Sequence, residues 1–179
     1  GVLSAWDVTM ADACEMLSFC RAPPGRMEVF RGSADSPWVI VDYAHSPTAL
    51  ENALTCLNRY SAAETWCVFG CGGERDSGKR PLMGAVAAKL ADHIVLTNDN
   101  PRGEDPGEII AQIRSAITSH PDVIVEHDRK RAIVNAIGAA SPGDAVLIAG
   151  KGHEILQEIG QQRHPFSDRS VVEAAMDGH

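Results

Sequence analysis

Four apolar runs in this chain each end in a short polar motif, and that arrangement restricts the fold more than any other feature. WVIV (38–41) runs into Asp42-Tyr43-Ala44-His45, and WCVF (66–69) runs into Gly70-Cys71-Gly72-Gly73-Glu74-Arg75-Asp76. IVLT (94–97) runs into Asn98-Asp99-Asn100-Pro101-Arg102, and AVLIA (145–149) into Gly150-Lys151-Gly152-His153-Glu154. Continuous apolar runs that alternate with helical segments predict parallel strands covered on both faces. The loops at the carboxyl ends of such strands share one edge of the sheet, where ligands bind. Residues far apart in the chain then meet in one cleft.

The segments between the runs carry helical spacing. Ser46-Pro47 supplies a cap and a first helical residue, and Ala49, Leu50, Ala53, Leu54 and Leu57 form an apolar face behind it. Similar amphipathic runs cover 8–20, 81–91, 106–118, 129–140 and 169–176, with Asp128 and Asp168 as candidate caps. Met27 to Arg31 and Val123 to Val125 read as further strands, and Ile155 to Phe166 as one or two short edge strands. The repeated order of strand and helix predicts an α/β fold: an open, mostly parallel sheet with helices on both faces. Residues 8–20 and the breaker Arg21-Ala22-Pro23-Pro24-Gly25 precede the first strand. Residues 1–25 therefore read as a helix and connector from an upstream domain, and 26–179 as the domain itself. A small free-standing protein is the alternative.

A net charge of −8 argues against a general nucleic-acid or anionic-membrane binder, without excluding local basic pockets. No apolar stretch approaches the roughly 20 residues that span a bilayer. The five cysteines are odd in number and include no C-x-x-C pair, so they read mainly as reduced, packed thiols of a cytosolic protein. Cys67 and Cys71 lack the further ligands a metal site needs, and no metal is expected on them.

Each polar motif has a chemical and a bland reading. Gly73 to Arg80 nearly spells the phosphate-binding loop G-x-x-x-x-G-K-[ST], but Arg80 stands where a hydroxyl would hold Mg²⁺. Its Arg75, Lys79 and Arg80 suit an anion site as well as a solvated loop. Arg102 offers a planar fork for a carboxylate or phosphate, against an ordinary Asn-Pro turn with an exposed arginine. Two glycines let the backbone approach a ligand at Gly150-Lys151-Gly152-His153-Glu154. Glu154 suits an ammonium group there, with His153 in support. Asp42 suits ribose hydroxyls, or else joins Ser46 in capping a helix. Arg26 and the run Asp128-Arg129-Lys130-Arg131 read as solvated charges.

Taken in order, GRMEVF, VDYAHSP, VFGCGGERDSGKRP, TNDNPR and AGKGHE closely resemble the carboxyl-terminal domain of the Mur ligases, from about Gly25 to Met176. The resemblance implies a Rossmann-like domain that closes over ATP and brings the incoming amino acid. In the family, an amino-terminal domain binds the UDP-sugar peptide. A central one carries the P-loop, the Mg²⁺ ligands and a carbamylated lysine. The implied whole enzyme is an ATP-dependent acid–amino-acid ligase of peptidoglycan biosynthesis, cytoplasmic and monomeric. It adds meso-diaminopimelate to UDP-MurNAc-L-Ala-D-Glu through an acyl phosphate. This chain alone would be inactive, with no catalytic residue assigned.

The same resemblance implies an amino-acid pocket of Arg75, Asp99, Asn100, Pro101, Arg102, Gly150 and Glu154, and a nucleotide face of Arg26, Asp42 and His45. Meso-diaminopimelate is a zwitterion at each end, so arginines suit its carboxylates and Glu154 an ammonium. Arg102 is the expected discriminator, because lysine lacks the distal carboxylate and would leave the guanidinium without a partner. The alternatives are another amide ligase of the superfamily, such as folylpolyglutamate synthase, and a binding module without chemistry.

Overall fold

The computed structural model describes residues 8–20, 23–32, 36–60 and 63–177. Arg21 and Ala22 of the expected connector lie outside them. The first helix is α1 (Met10–Ser18), capped by Thr9. Six strands form one sheet: β1 (Glu28–Arg31), β2 (Trp38–Asp42), β3 (Thr65–Phe69), β4 (His93–Leu96), β5 (Val123–Val125) and β6 (Ala145–Ala149). Their spatial order is β1-β2-β6-β3-β4-β5. Only β1 runs antiparallel, pairing with β2 at the edge.

The pleat sorts each strand's side chains between two cores. Leu147 of β6 packs with Ile40, Cys67, Phe69, Ile94 and Leu96 beneath α2 (Pro47–Tyr60), α3 (Lys79–Leu90) and α4 (Pro106–Arg114). Val146 and Ile148 of the same strand join Val39, Val41, Val68 and Val95 beneath α5 (Arg129–Ala139) and α6 (Asp168–Met176). Burial on both faces explains the unbroken apolar runs. The α/β fold with an open, mostly parallel sheet is therefore as the sequence predicts. Among the described residues, no helix is long and apolar enough to cross a membrane.

Several local expectations change. Ile155 to Phe166 adds no strand to the main sheet. It forms a separate hairpin of β7 (Leu156–Ile159) and β8 (Gln162–Pro165). Helix α4 ends at Arg114, short of residue 118, where Thr118, Ser119 and Pro121 follow as helix-breaking residues. Ser167, rather than Asp168, caps α6, accepting from the Ser170 N–H. Cys14 and Cys20 are exposed, so packing holds only for the buried Cys67 and Cys71 and the half-buried Cys56.

The topology creates the cleft. Chain connections from β2 and β3 leave toward the face of α2 and α3, while α6, after β6, lies on the opposite face. Strand β6 sits between β2 and β3. Adjacent strands whose connections diverge leave a crevice beyond their carboxyl ends.

Candidate ligand cleft

A cavity of about 270 Å³ opens at that crevice. The loop after β2 contributes Tyr43 and His45, the loop after β3 contributes Cys71, Gly72 and Arg75, and α3 contributes its first residue, Lys79. Asp99, Asn100 and Arg102 come from the loop after β4, and Gly150 and Glu154 from the loop after β6. Of the expected amino-acid pocket, Arg75, Asp99, Asn100, Arg102, Gly150 and Glu154 thus converge on one cavity. Pro101 is buried in its turn and does not line it.

Two glycines make the approach feasible. A Cβ on Gly73 would stand 1.9 Å from the Pro101 carbonyl oxygen, so no side chain fits between the two loops. Gly150 has φ +117°, and a Cβ there would lie 2.7 Å from Asp99 Oδ2. Only glycine takes that backbone without strain.

Polar contacts inside the cleft are already well used. Lys151 is fully buried and donates from Nζ to Asn100 Oδ1 and to Glu154 Oε2, both at 2.9 Å. Asn100 Nδ2 donates to the same Glu154 oxygen at 3.0 Å. Burial alone would raise the Glu154 carboxyl, but these two donors hold it below the ordinary carboxylate range. It is therefore an anion at neutral pH. Burial pushes the Asp99 carboxyl up, against the pull of Arg129 and Lys151. Cys71 is a neutral thiol, its pKa pushed up to about 12 by burial, and so no nucleophile.

Arg102 adopts φ +50° and is fixed from several sides. Its N–H donates to the Glu158 carbonyl at 3.0 Å, and its own carbonyl accepts from the Gly160 N–H at 2.7 Å. Its Nε meets Glu158 Oε2 at 2.8 Å, and Nη1 donates to the Gly73 carbonyl at 2.8 Å. The guanidinium therefore has partners without any ligand, and the expectation that lysine would leave it unpartnered is corrected by Glu158.

At the face expected to meet a nucleotide, the Arg26 guanidinium lies 4.4 Å over the Tyr43 ring. His45 meets the same ring edge-on at 4.6 Å, with His153 at 5.3 Å on a tilt. Asp42 Oδ2 accepts from the Met27 N–H at 2.8 Å, while Ser46 caps α2 through the Ala49 N–H. Asp42 thus ties β1 to β2 rather than capping the helix. Lys79 Nζ donates to the His45 carbonyl at 2.8 Å, joining the two halves of the cleft.

Arg80, weighed as an anion-site or solvated-loop cation, and Arg129, read as a solvated charge, both prove structural. Arg80 is buried, pairs with Glu104 at 2.8 Å and donates to Gln112 and to the Gly72 carbonyl. It supports the loop from behind, while Arg75 and Lys79 line the cavity. Arg129 is buried with Asp168, each side chain 0% exposed, in a bidentate pair at 2.7 and 2.8 Å. It also donates to the Ala149 and Asn98 carbonyls. Those residues end β6 and follow β4, so the pair fixes where Gly150 and Asp99 begin. Sequence reasoning missed Lys151, Glu158 and the Arg129–Asp168 pair.

The family model described as "Mur ligase, glutamate ligase domain" matches residues 25–152, more than two thirds of the chain. The chain belongs to the Mur ligase family. Among relatives of this Mur ligase domain are UDP-N-acetylmuramoyl-L-alanyl-D-glutamate–2,6-diaminopimelate ligases. The one from Prochlorococcus marinus is 46% identical over 96% of this chain and 34% of its own length. That from Synechococcus elongatus is 52% identical over 86% and 31%. A solved structure of an enzyme of that name superposes with a TM-score of 0.83 at 40% identity, covering 99% of this chain and 36% of the other. The chain therefore spans about a third of the length of the relatives it matches. A folylpolyglutamate synthase/dihydrofolate synthase from Yersinia pestis shares the fold alone, at 22% identity and a TM-score of 0.57, covering 72% of this chain and 28% of the other.

Proposed function

We propose that this chain is the domain of an ATP-dependent ligase that presents meso-diaminopimelate to UDP-MurNAc-L-Ala-D-Glu. In the reaction, the peptide's terminal carboxylate attacks the γ-phosphorus of ATP and ADP leaves. The amine of diaminopimelate then attacks the resulting acyl phosphate. An amide forms, phosphate departs and the amine loses a proton. Holding multiply charged reactants in line is the main demand on the protein.

One observation carries this reading: a single cavity gathers Arg75, Lys79 and Arg102 on one hand and Asp99 and Glu154 on the other. A ligand with both carboxylates and ammonium groups satisfies both sets, whereas a simple anion would face two carboxylates. Arg75 and Arg102 would take carboxylates, and Glu154 with the Gly150 carbonyl an ammonium. Tyr43, His45, Asp42 and Arg26 would border the nucleotide at the adjoining edge.

The residues here do not fit the Mg²⁺ of the phosphoryl transfer. Where a P-loop carries its hydroxyl ligand, this chain has Arg80, a cation tied to Glu104. No step on this domain is routed through the metal. A cytoplasmic, monomeric enzyme belongs to the same proposal. The DNPR (99–102) and GKGHE (150–154) motifs argue against the folylpolyglutamate synthase alternative.

Calorimetric titration of this chain with meso-diaminopimelate, L-lysine and the Arg102→Ala variant tests the proposal. Heat on adding diaminopimelate, lost in the variant, is expected. Equal binding of lysine would overturn the substrate assignment.

A further inference from the structure

We propose that Glu158 is a positioning residue that holds Arg102 for a ligand carboxylate. The inference rests on the reading of the cleft given above. Arg102 borders the main cavity, but Glu158 does not; it borders two flanking cavities on the hairpin side. It therefore meets Arg102 from the hairpin side, where one of those cavities is shared with Asn100 and Glu154.

A guanidinium offers two bidentate edges, Nε with one terminal nitrogen and the two terminal nitrogens together. Glu158 Oε2 stands 2.8 Å from Nε in an ion pair, and the Gly73 carbonyl takes one hydrogen of Nη1. Among the described residues nothing accepts from Nη2, so its hydrogens are left for a ligand carboxylate. Glu158 thereby anchors the Nε end of the guanidinium and leaves the far end to the ligand.

Two further contacts make Glu158 suited to the task. Its backbone clamps the loop after β4: its N–H donates to Asn100 Oδ1 at 3.0 Å, and its carbonyl accepts from the Arg102 N–H. The carboxylate is thus placed by the same strand that places its target. Its other oxygen accepts from Arg163 Nε at 3.1 Å, across the hairpin where the two residues are register partners. Two guanidiniums share one carboxylate, so a net positive charge remains for the incoming carboxylate. Arg163 is 71% exposed and its contribution is screened by solvent.

The test uses Glu158→Ala, Glu158→Gln and Arg163→Gln in this chain. Each keeps the backbone clamp, so the thermal midpoint should hold. Two readouts are taken: diaminopimelate affinity by calorimetry, and the Arg102 Nε–H signal by nitrogen–proton NMR. Glu158→Ala should weaken diaminopimelate roughly tenfold, with Glu158→Gln in between and Arg163→Gln changed less than about twofold. The Nε–H signal should shift in Glu158→Ala, which removes the carboxylate 2.8 Å from Nε. Unchanged affinity in Glu158→Ala, with Arg102→Ala still abolishing binding, would overturn the positioning role and leave the substrate reading intact. If the parent binds no diaminopimelate, the substrate reading fails and the NMR signal decides alone. A shift in Glu158→Ala supports the positioning contact, and an unchanged signal overturns it.

Discussion

Replacing Asp168 by asparagine takes a carboxylate from a guanidinium that has no water to turn to. Arg129 and Asp168 are each 0% exposed and joined by two hydrogen bonds. Burial alone would lower the Arg129 pKa, but Asp168 more than offsets it and leaves it raised. Breaking one member of such a pair costs about 3–5 kcal/mol, because the other charge stays buried. For a domain of this size that is a fall in Tm of roughly 6–20 °C. A double variant, Arg129→Met with Asp168→Leu, removes both charges and should recover much of the loss, since apolar replacements of a buried pair are often near neutral. It would not restore the hydrogen bonds to the Ala149 and Asn98 carbonyls. Ligand binding should therefore recover less than stability. Thermal and urea denaturation of the three proteins measure this. A loss below about 1 kcal/mol in Asp168→Asn, or a double variant no more stable than the single one, would refute the reasoning.

Two more outcomes are expected. His93 stacks on Trp66 at 3.9 Å and lies between Asp122 and Glu64. Burial alone would lower its pKa, but the two carboxylates raise it above the ordinary value. Its contribution is fully present below about pH 6.5 and is lost as pH rises through the folded-state value. Urea midpoints should fall across that window, and His93→Gln should flatten the dependence. Gly150→Ala imposes φ +117° on a residue with a Cβ and drives it against Asp99 Oδ2. A loss of about 1–3 kcal/mol is expected by denaturation, with diaminopimelate binding abolished.

The strands were legible because burial on both faces demands unbroken apolar runs, and the helices because their apolar faces recur at helical spacing. The cleft followed from topology, since any parallel α/β sheet brings these loops to one edge. What escaped were charges whose meaning depends on distant partners. Arg129 stands in a run of surface-like charges, and its burial depends on Asp168, 39 residues on. Arg80 likewise reads as part of an anion loop until Glu104 is placed beside it. Lys151 stands between two glycines, and Asn100 and Glu154, whose placement the sequence does not show, draw it fully inside. Glu158 sits outside every motif. The hairpin that carries it pairs with the loop after β4 through a single bridge between Arg102 and Ile159, too short a contact to show in residue patterning.

Amide shift mapping of this chain during titration with meso-diaminopimelate tests most directly whether the loops after β3, β4 and β6 form one two-ended site. Saturable shifts at Gly72, Asn100, Arg102, Gly150 and Glu154 together, with one shared affinity, are expected. Saturable shifts confined to a single loop, or shifts at Tyr43 and His45 without those at Arg102 and Gly150, would contradict a pocket that grips both ends of the amino acid.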